Sequence, residues 1–337
     1  AIDSFNNDII MILGGDDKKI DNTELVKRIA EKVERVYLIG DNAPLLINDM
    51  EKINYKIKVN SFELADIFDC GQCFRWNIED DGSYTGVFKK IVLNVKKIDD
   101  EVFFNGVNYG NTDSIEEINH YFDLNRNYDE LKSKLEKIDD YMKNSIEFGK
   151  GIRILNQDLW ETIISFIISA NNNIPRIKGI IDRLSEKYGE KLEYDGREYY
   201  SFPEPIALKD VAVAEYRSLG LGFRDIRLYE TTQKVLNNEF DLNGQWNLDT
   251  GAVYKNLLEL SGVGPKVADC ILLFSDLKRF DVFPIDVWIR RVMNDLYIHN
   301  DDETKVSKVQ IQKLADEKFG SLKGLAQQYL FYWRRSL

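Results

Sequence analysis

Residues 257–286 read LLELSGVGPKVADCILLFSDLKRFDVFPID. Gly262 and Gly264 bracket Val263 behind an apolar run that ends at Leu260. Glycine reaches positive φ without steric penalty and lets another backbone come close. A helix is therefore expected to stop near Leu260 and a second to begin at Pro265, because proline suits the first helical position. Such a hairpin turns backbone N–H groups from a helix N-terminus toward whatever docks there, and a phosphate suits them. A plain packing turn between two helices would need only one glycine.

Lys266 lies one residue inside the second helix, where the positive end of the dipole disfavours an ammonium. A lysine met alone is most simply a surface charge. Here Val267, Ala268, Ile271 and Leu272 surround it with apolar groups, and Asp286 follows the break at Pro284. A neutral amine is a nucleophile, but an ordinary lysine of pKa about 10.4 needs roughly 4–5 kcal/mol to lose its proton at neutral pH. The site is therefore expected to tune the amine toward its neutral form. Asp286 can orient that amine and stabilise positive charge on a reacting sugar, and it also suits the N-cap of a helix starting at Val287.

At this point the chain resembles the helix-hairpin-helix DNA glycosylases, and within them the eukaryotic-type 8-oxoguanine DNA glycosylase/lyase family. Four more stretches are similar to that family's blocks, in its order: CGQCFRW (70–76), RILNQDLWETIISFIISANNNIPRI (153–177), LGLGFRDIR (219–227) and AQQYLF (326–331). The resemblance runs from about Glu51 to Leu337.

The resemblance implies roles residue by residue. Lys266 corresponds to the nucleophile that attacks the sugar C1′, displaces the base and forms a Schiff base leading to strand cleavage, and Asp286 to the acid that supports it. Gly71 aligns with the glycine whose carbonyl accepts the N7 hydrogen found on 8-oxoguanine and absent from guanine. Cys270 and Phe331 match the pair that sandwiches the flipped base, and Gln327 the reader of its Watson–Crick edge. Asn171 matches the side chain that fills the vacated gap, Phe223 the wedge at the opposite strand, and Arg176 with Arg224 the readers of the orphaned cytosine. Gly262 and Gly264 belong to the DNA-binding hairpin, where the carbonyls of Leu258, Leu260 and Val263 are candidates to hold a monovalent or calcium-like structural cation. No cofactor is required by this chemistry. One position departs from the pattern: Trp288 stands where well-studied relatives carry a histidine that contacts the DNA backbone.

The physics supports this assignment independently. An enzyme acting on a base within a duplex must extrude it, at a few kcal/mol of unstacking, into a pocket with stacking and edge-reading groups. Gln327 and Phe331, four apart, share a helix face. The Asn171–Asn173 run supplies short amides able to fill a void, although the same run suits an ordinary helix end and turn.

Cys70 and Cys73 form a CxxC, which by itself suggests zinc or redox chemistry. A zinc site needs more ligands, and the chain offers only Cys270, His120 and His299 besides. Three cysteines also exclude the four-cysteine iron–sulfur loop of related glycosylase branches. They fit a reducing cytoplasm, with nucleoid association in a prokaryote, and a monomer is expected. The formal net charge of −12 runs against nucleic-acid binding. From Thr250 to Leu337, however, 13 Lys+Arg stand against 11 Asp+Glu, so the remainder carries 32 against 46 and the acidic excess lies elsewhere. A few cations, helix N-termini and backbone amides then suffice for double-stranded DNA containing an oxidised purine.

The expected fold class is α+β. Strands are expected from Ile53 to Val107, where YKIKV, SYTGVF and IVLNV alternate around an Asp81-Gly82 turn. Beyond Ser114 the period becomes helical to the end of the chain. The domains are expected to be an antiparallel β-rich domain at 51–150 and an all-helical helix-hairpin-helix region at 151–337. No apolar run reaches the length of a membrane span. Residues 1–50 stand apart: they read as strand, glycine loop, helix and strand, a parallel βαβ unit. About forty of these residues resemble part of the C-terminal domain of the D-glutamate-adding muramyl-peptide ligases, without an ATP-binding GxxxxGK[ST] loop. The expectation is an appended fragment, with Met50 as an older start. Alternatives from other classes are a non-catalytic DNA-binding module and a cell-wall ligase. An alkyl-base glycosylase would share the hairpin and the aspartate but lack the lysine.

Overall fold

A computed structural model of the chain describes residues 9–14, 33–39, 52–110 and 112–336. Strands β1 (Ile9–Gly14) and β2 (Val33–Ile39) pair in parallel, as a βαβ unit requires. The helix expected between them lies outside the described residues.

Strands β3 (Lys52–Lys58), β4 (Trp76–Ile78), β5 (Tyr84–Phe88), β6 (Ile91–Ile98) and β7 (Glu101–Asn108) form a five-stranded antiparallel sheet in the order β3-β7-β6-β5-β4. The Asp81-Gly82 turn joins β4 to β5. Gly82 takes φ +80° there, and the Asp81 carboxylate accepts the Ser83 N–H at 3.0 Å. Alternation puts Leu93, Val95, Val102 and Phe104 on the buried side. They meet Phe62, Phe68, Trp76 and Phe122, with Phe68 and Trp76 stacked at 4.3 Å between centroids. A short helix, α1 (Leu64–Phe68), interrupts the span expected to be all strand. Five residues carry too little periodicity to announce it.

The chain then becomes helical: α2 (Ser114–Tyr121), α3 (Tyr128–Glu136), α4 (Asp140–Phe148), α5 (Leu159–Ser169), α6 (Ile174–Tyr188), α7 (Val213–Ser218), α8 (Asp225–Leu236), α9 (Thr250–Leu258), α10 (Pro265–Phe274), α11 (Val287–Met293), α12 (Lys308–Phe319) and α13 (Lys323–Arg335). The expectation of an all-helical region needs one correction. Strands β8 (Lys191–Tyr194) and β9 (Arg197–Tyr200) form a hairpin after α6. Asp195 (φ +50°) and Gly196 (φ +69°) supply the two left-handed residues of its turn. An Asp-Gly pair between KLEY and REYY is a strong hairpin signal that helical periodicity on either side had masked. Among the described residues no helix is long and apolar enough to cross a membrane.

One segment locks the sheet to the helices. Arg153, almost wholly buried, donates to the carbonyls of Asn60, Ser61 and Asp123 at 2.9, 2.9 and 2.7 Å. Gln157 donates to the carbonyls of Gln72 and Phe274 at 2.7 and 3.0 Å, and its own carbonyl accepts the Asp276 N–H. The RILNQ stretch therefore anchors both the CGQC loop and the C-terminal end of α10. Buried polar groups satisfied this fully hold geometry as well as energy.

Candidate active site and nucleic-acid interface

Helix α9 ends at Leu258, two residues before the expected stop, and α10 begins at Pro265. Within the hairpin only Gly262 occupies the left-handed region, at φ +86°; a Cβ there would come within 2.9 Å of the Arg227 side chain. Gly264 has φ −96°, which any residue adopts, and beyond its chain neighbours no described residue lies within 4 Å of where its Cβ would be. Its glycine therefore leaves room for something arriving from outside. No side chain caps α10, so its first-turn amides have no side-chain partner.

Lys266 rides the first turn of α10, with its Nζ 5.6 Å from the Phe166 ring centroid. Phe166 in turn stacks on Phe274 at 5.6 Å and holds α10 against α5. Lys266 opens into a cavity of about 620 Å³ that Asn171, Asp286, Trp288 and Arg291 also line. The break at Pro284 turns the buried Phe283-Pro284-Ile285 run into α11. Asp286 caps that helix, its carboxylate accepting the Ile289 N–H at 2.8 Å.

The electrostatics differ from the expectation of a depressed lysine pKa. Cys270, one turn along α10, and then Asp286 hold the Lys266 amine above the ordinary lysine value, against the effect of burial. Burial pushes the Cys270 thiol up to about 11, so near neutral pH it is an uncharged S–H and Asp286 is the neighbour whose charge favours the ammonium there. The site therefore favours the ammonium form of Lys266. Its neutral form must be generated when the charges around it change.

The residues expected to recognise the base come from three separate blocks, and none of them lines the Lys266 cavity. Gly71 takes φ +87°, and a Cβ on it would sit 3.6 Å from Phe331 Cε1, so Gly71 and Phe331 are neighbours. Both flanks of Gly71 are clamped. Gln328 on α13 donates to the Cys70 carbonyl at 2.7 Å, and the fully buried Gln72 donates to the carbonyls of Ile67 and Arg153 while accepting the Leu155 N–H. Gln327, beside Gln328, is only 5 % exposed, yet its Oε1 has no hydrogen-bond partner. A buried acceptor left open is costly. It is an orphan that a base edge can satisfy. Cys270 is likewise buried. The two CxxC cysteines, Cys70 and Cys73, are also free and buried, and burial pushes the Cys70 thiol up to about 12, which makes it a poor nucleophile. Among the described residues no cluster of His, Cys, Asp and Glu could hold a metal ion.

The residues expected to face the DNA strands gather around the end of α5. Asn171 is exposed and left-handed, at φ +52°, and Asn173 caps α6 by accepting the Arg176 N–H at 3.0 Å. The Asn run is thus both a helix-end turn and a projecting tip. Phe223 remains 52 % exposed, with the guanidiniums of Arg224 and Arg227 at 4.2 and 5.1 Å from its ring centroid. Arg224, expected with Arg176 to read the opposite base, is engaged within the protein. Its side chain is buried and donates to the carbonyls of Ala170, Asn171 and Leu221. It holds the Asn171 tip, whereas the exposed Arg176 side chain makes one hydrogen bond among the described residues, to the Gly220 carbonyl at 3.2 Å. Arg227 and Arg291 complete these surfaces and were not singled out from sequence, where nothing distinguishes them from other surface arginines.

Residues 54–163 match the family described as 8-oxoguanine DNA glycosylase, N-terminal domain, and residues 164–318 match the HhH-GPD superfamily of base excision DNA repair proteins. The chain is 31% identical over 242 residues to the probable N-glycosylase/DNA lyase of Methanothermobacter thermautotrophicus, a span covering 66% of this chain and 75% of that protein. It is 29% identical over 324 residues to the N-glycosylase/DNA lyase of Saccharomyces cerevisiae, covering 82% and 85% of the two chains. The crystal structure of the Clostridium acetobutylicum 8-oxoguanine glycosylase/lyase, in complex with dsDNA containing cytosine opposite to 8-oxoG, superposes with a TM-score of 0.77 at 42% identity, covering 84% of this chain and 98% of that one. A weaker likeness, 27% identical over 107 residues, links the chain to 23% of the UDP-N-acetylmuramoylalanine–D-glutamate ligase of Caldicellulosiruptor bescii; a partial match of that extent carries no activity. With the sheet, the hairpin lysine and the aspartate in one body, the chain belongs to the 8-oxoguanine DNA N-glycosylase/lyase family of the helix-hairpin-helix superfamily.

Proposed function

We propose that this protein excises 8-oxoguanine from duplex DNA, preferentially opposite cytosine, and then cleaves the strand at the resulting abasic site. The observation that carries the reading is that Lys266, Asp286 and Asn171 open onto one cavity. The target nucleotide leaves the stack, and Asn171 occupies the gap while Phe223 wedges the opposite strand. Gly71 offers its carbonyl to the N7–H, Phe331 and Cys270 cover the two faces of the base, and Gln327 meets its Watson–Crick edge with the acceptor that otherwise lacks a partner.

The neutral amine of Lys266 forms a bond to C1′ as the bond from C1′ to the base breaks; the base leaves with that bond's electron pair and takes up the proton that the new C1′–N ammonium sheds. Opening of the C1′–O4′ bond gives the protonated Schiff base. Loss of a C2′ proton then expels the 3′ phosphate by β-elimination. Asp286, held by its cap bond, faces the positive charge that develops on the sugar. Trp288 and Arg291 border the same cavity beside the DNA backbone.

The hairpin can add a cation bridge to a phosphate through the carbonyls of Leu258, Leu260 and Val263, since hard cations prefer oxygen ligands. Among the described residues the Leu260 carbonyl accepts only the Val263 N–H, at 3.1 Å, and keeps a lone pair. Lys234 Nζ already lies 2.6 Å from the neighbouring Glu259 carbonyl, so a monovalent ion suits the site better than a divalent one. The protein works as a monomer in the cytoplasm, on the nucleoid if the source is a prokaryote.

The test is a single-turnover cleavage assay with 8-oxoguanine opposite each of the four bases. Excision should be fastest opposite cytosine and about tenfold or more slower opposite adenine, from the 1–3 kcal/mol that a bidentate arginine contact discriminates. Activity on alkylated bases alone would replace this reading with that of an alkyl-base glycosylase.

A further inference from the structure

The hydrogen that marks 8-oxoguanine at N7 sits beside a second mark, the carbonyl oxygen at C8. Guanine has the reverse pattern: N7 is a bare acceptor and C8 carries only a C–H. A pocket that reads both marks needs an acceptor and a donor side by side. Gly71 supplies the acceptor in the reading above, on which this inference rests. Arg335 stands next to it. Its Nη1 is 3.7 Å from where a Gly71 Cβ would lie, and its Cζ is 5.8 Å from the Phe331 ring centroid. Arg335 follows Phe331 by four residues on α13, so both project from one face of the same helix.

Arg335 also differs from its neighbours in what engages it. Arg334 is tied to Asp295 at 3.0 Å. Arg335, exposed at the end of the helix, has the Phe331 ring as its only partner among the described residues. A guanidinium with its N–H donors unspent, resting on the ring that is to stack the base and adjoining the loop that is to read N7, is placed for a carbonyl oxygen at the rim of that base. We propose that Arg335 is a specificity-determining residue that donates a hydrogen bond to the C8 oxygen of the flipped base, so that the lesion is read by an acceptor and a donor together. The same donor would serve ring-opened purines that carry a formyl oxygen in that region. Guanine would present it with a C–H and gain nothing.

The experiment compares wild type, Arg335→Met and Arg335→Lys in single turnover on two duplexes, one with 8-oxoguanine opposite cytosine and one with a preformed abasic site opposite cytosine. Methionine keeps apolar contact with Phe331 and removes the donors; lysine keeps one charged donor. A charge-assisted hydrogen bond predicts a ten- to hundredfold loss of 8-oxoguanine excision in Arg335→Met, partial recovery in Arg335→Lys, and abasic-site cleavage within about twofold of wild type because no base is present to read. Unchanged excision in Arg335→Met, or an equal fall on both duplexes, would overturn the proposal. Wild-type protein that cleaves abasic DNA but leaves 8-oxoguanine in place would instead overturn the reading of the pocket, and this proposal with it.

Discussion

The Asn171 carbonyl accepts a hydrogen bond from the Arg224 guanidinium at 2.7 Å, and this contact makes a buried arginine the support of the exposed tip proposed to enter the DNA helix. Arg224 and Arg176 therefore have separable jobs. Arg224→Met should lower stability by about 1–3 kcal/mol, because the carbonyls of Ala170, Asn171 and Leu221 lose a charged donor, and should slow excision opposite every base. Arg176→Met should leave the thermal midpoint almost unchanged while compressing the cytosine-over-adenine preference several-fold. Thermal melts and four-base excision rates on both variants check this. Equal destabilisation by the two substitutions would contradict the division of labour.

The pH profile follows from the sign of the Lys266 shift. Cys270 and Asp286 raise the pKa of the amine, so at neutral pH the reactive neutral form is a minor species whose share grows about tenfold per pH unit below that pKa. The single-turnover rate of base release should therefore climb with pH across the neutral and mildly alkaline range. Asp286→Asn removes part of the raising influence, so its profile should shift to lower pH even as its maximum drops by at least about a hundredfold. A wild-type profile flat from about pH 6 to 9 would mean that a different proton transfer limits the rate.

Chelation should separate DNA affinity from chemistry. If the hairpin carbonyls hold an ion, exchanging potassium for a bulky organic cation at constant ionic strength should weaken duplex binding a few-fold. Base release at saturating enzyme should be unaffected by EDTA, because attack by an amine draws on no metal. Loss of the chemical step in EDTA, with recovery on adding zinc, would contradict the Schiff-base route.

The matched family regions begin at residue 54, beyond Met50. A chain starting at Met50 should keep full excision and lyase activity and lose at most a modest amount of thermal stability. A hundredfold slower rate in a folded shortened protein would make residues 1–49 part of the catalytic machinery.

Much of this site was legible in sequence because its chemistry is local. Gly262, Pro265 and Lys266 announce a hairpin and a lysine at a helix start, and Asp286 announces a cap; both arrangements are present. Gln327 and Phe331 share a face because helix geometry requires it. What sequence could not carry was the setting of each group. The Lys266 pKa depends on Cys270 and Asp286 surrounding one amine, and here they raise it where the helix dipole alone would lower it. Arg224 resembles any recognition arginine until its carbonyl partners at Ala170, Asn171 and Leu221 are located. The support of Gly71 by Gln72, Gln157 and Gln328 is a set of contacts between residues up to 258 positions apart, with no periodicity to betray it. The β8–β9 hairpin did have a local signal, in Asp195-Gly196, and helical neighbours outweighed it.

The central claim is that Lys266 is the nucleophile. The most direct measurement is borohydride trapping on 8-oxoguanine:cytosine duplex, with wild type and Lys266→Gln side by side and the adduct mapped by peptide mass. Wild type should give a covalent complex at residue 266, and Lys266→Gln should lose both trapping and base release while still binding the duplex. A trapped complex of undiminished yield in the glutamine variant, mapped to another amine, would contradict the account.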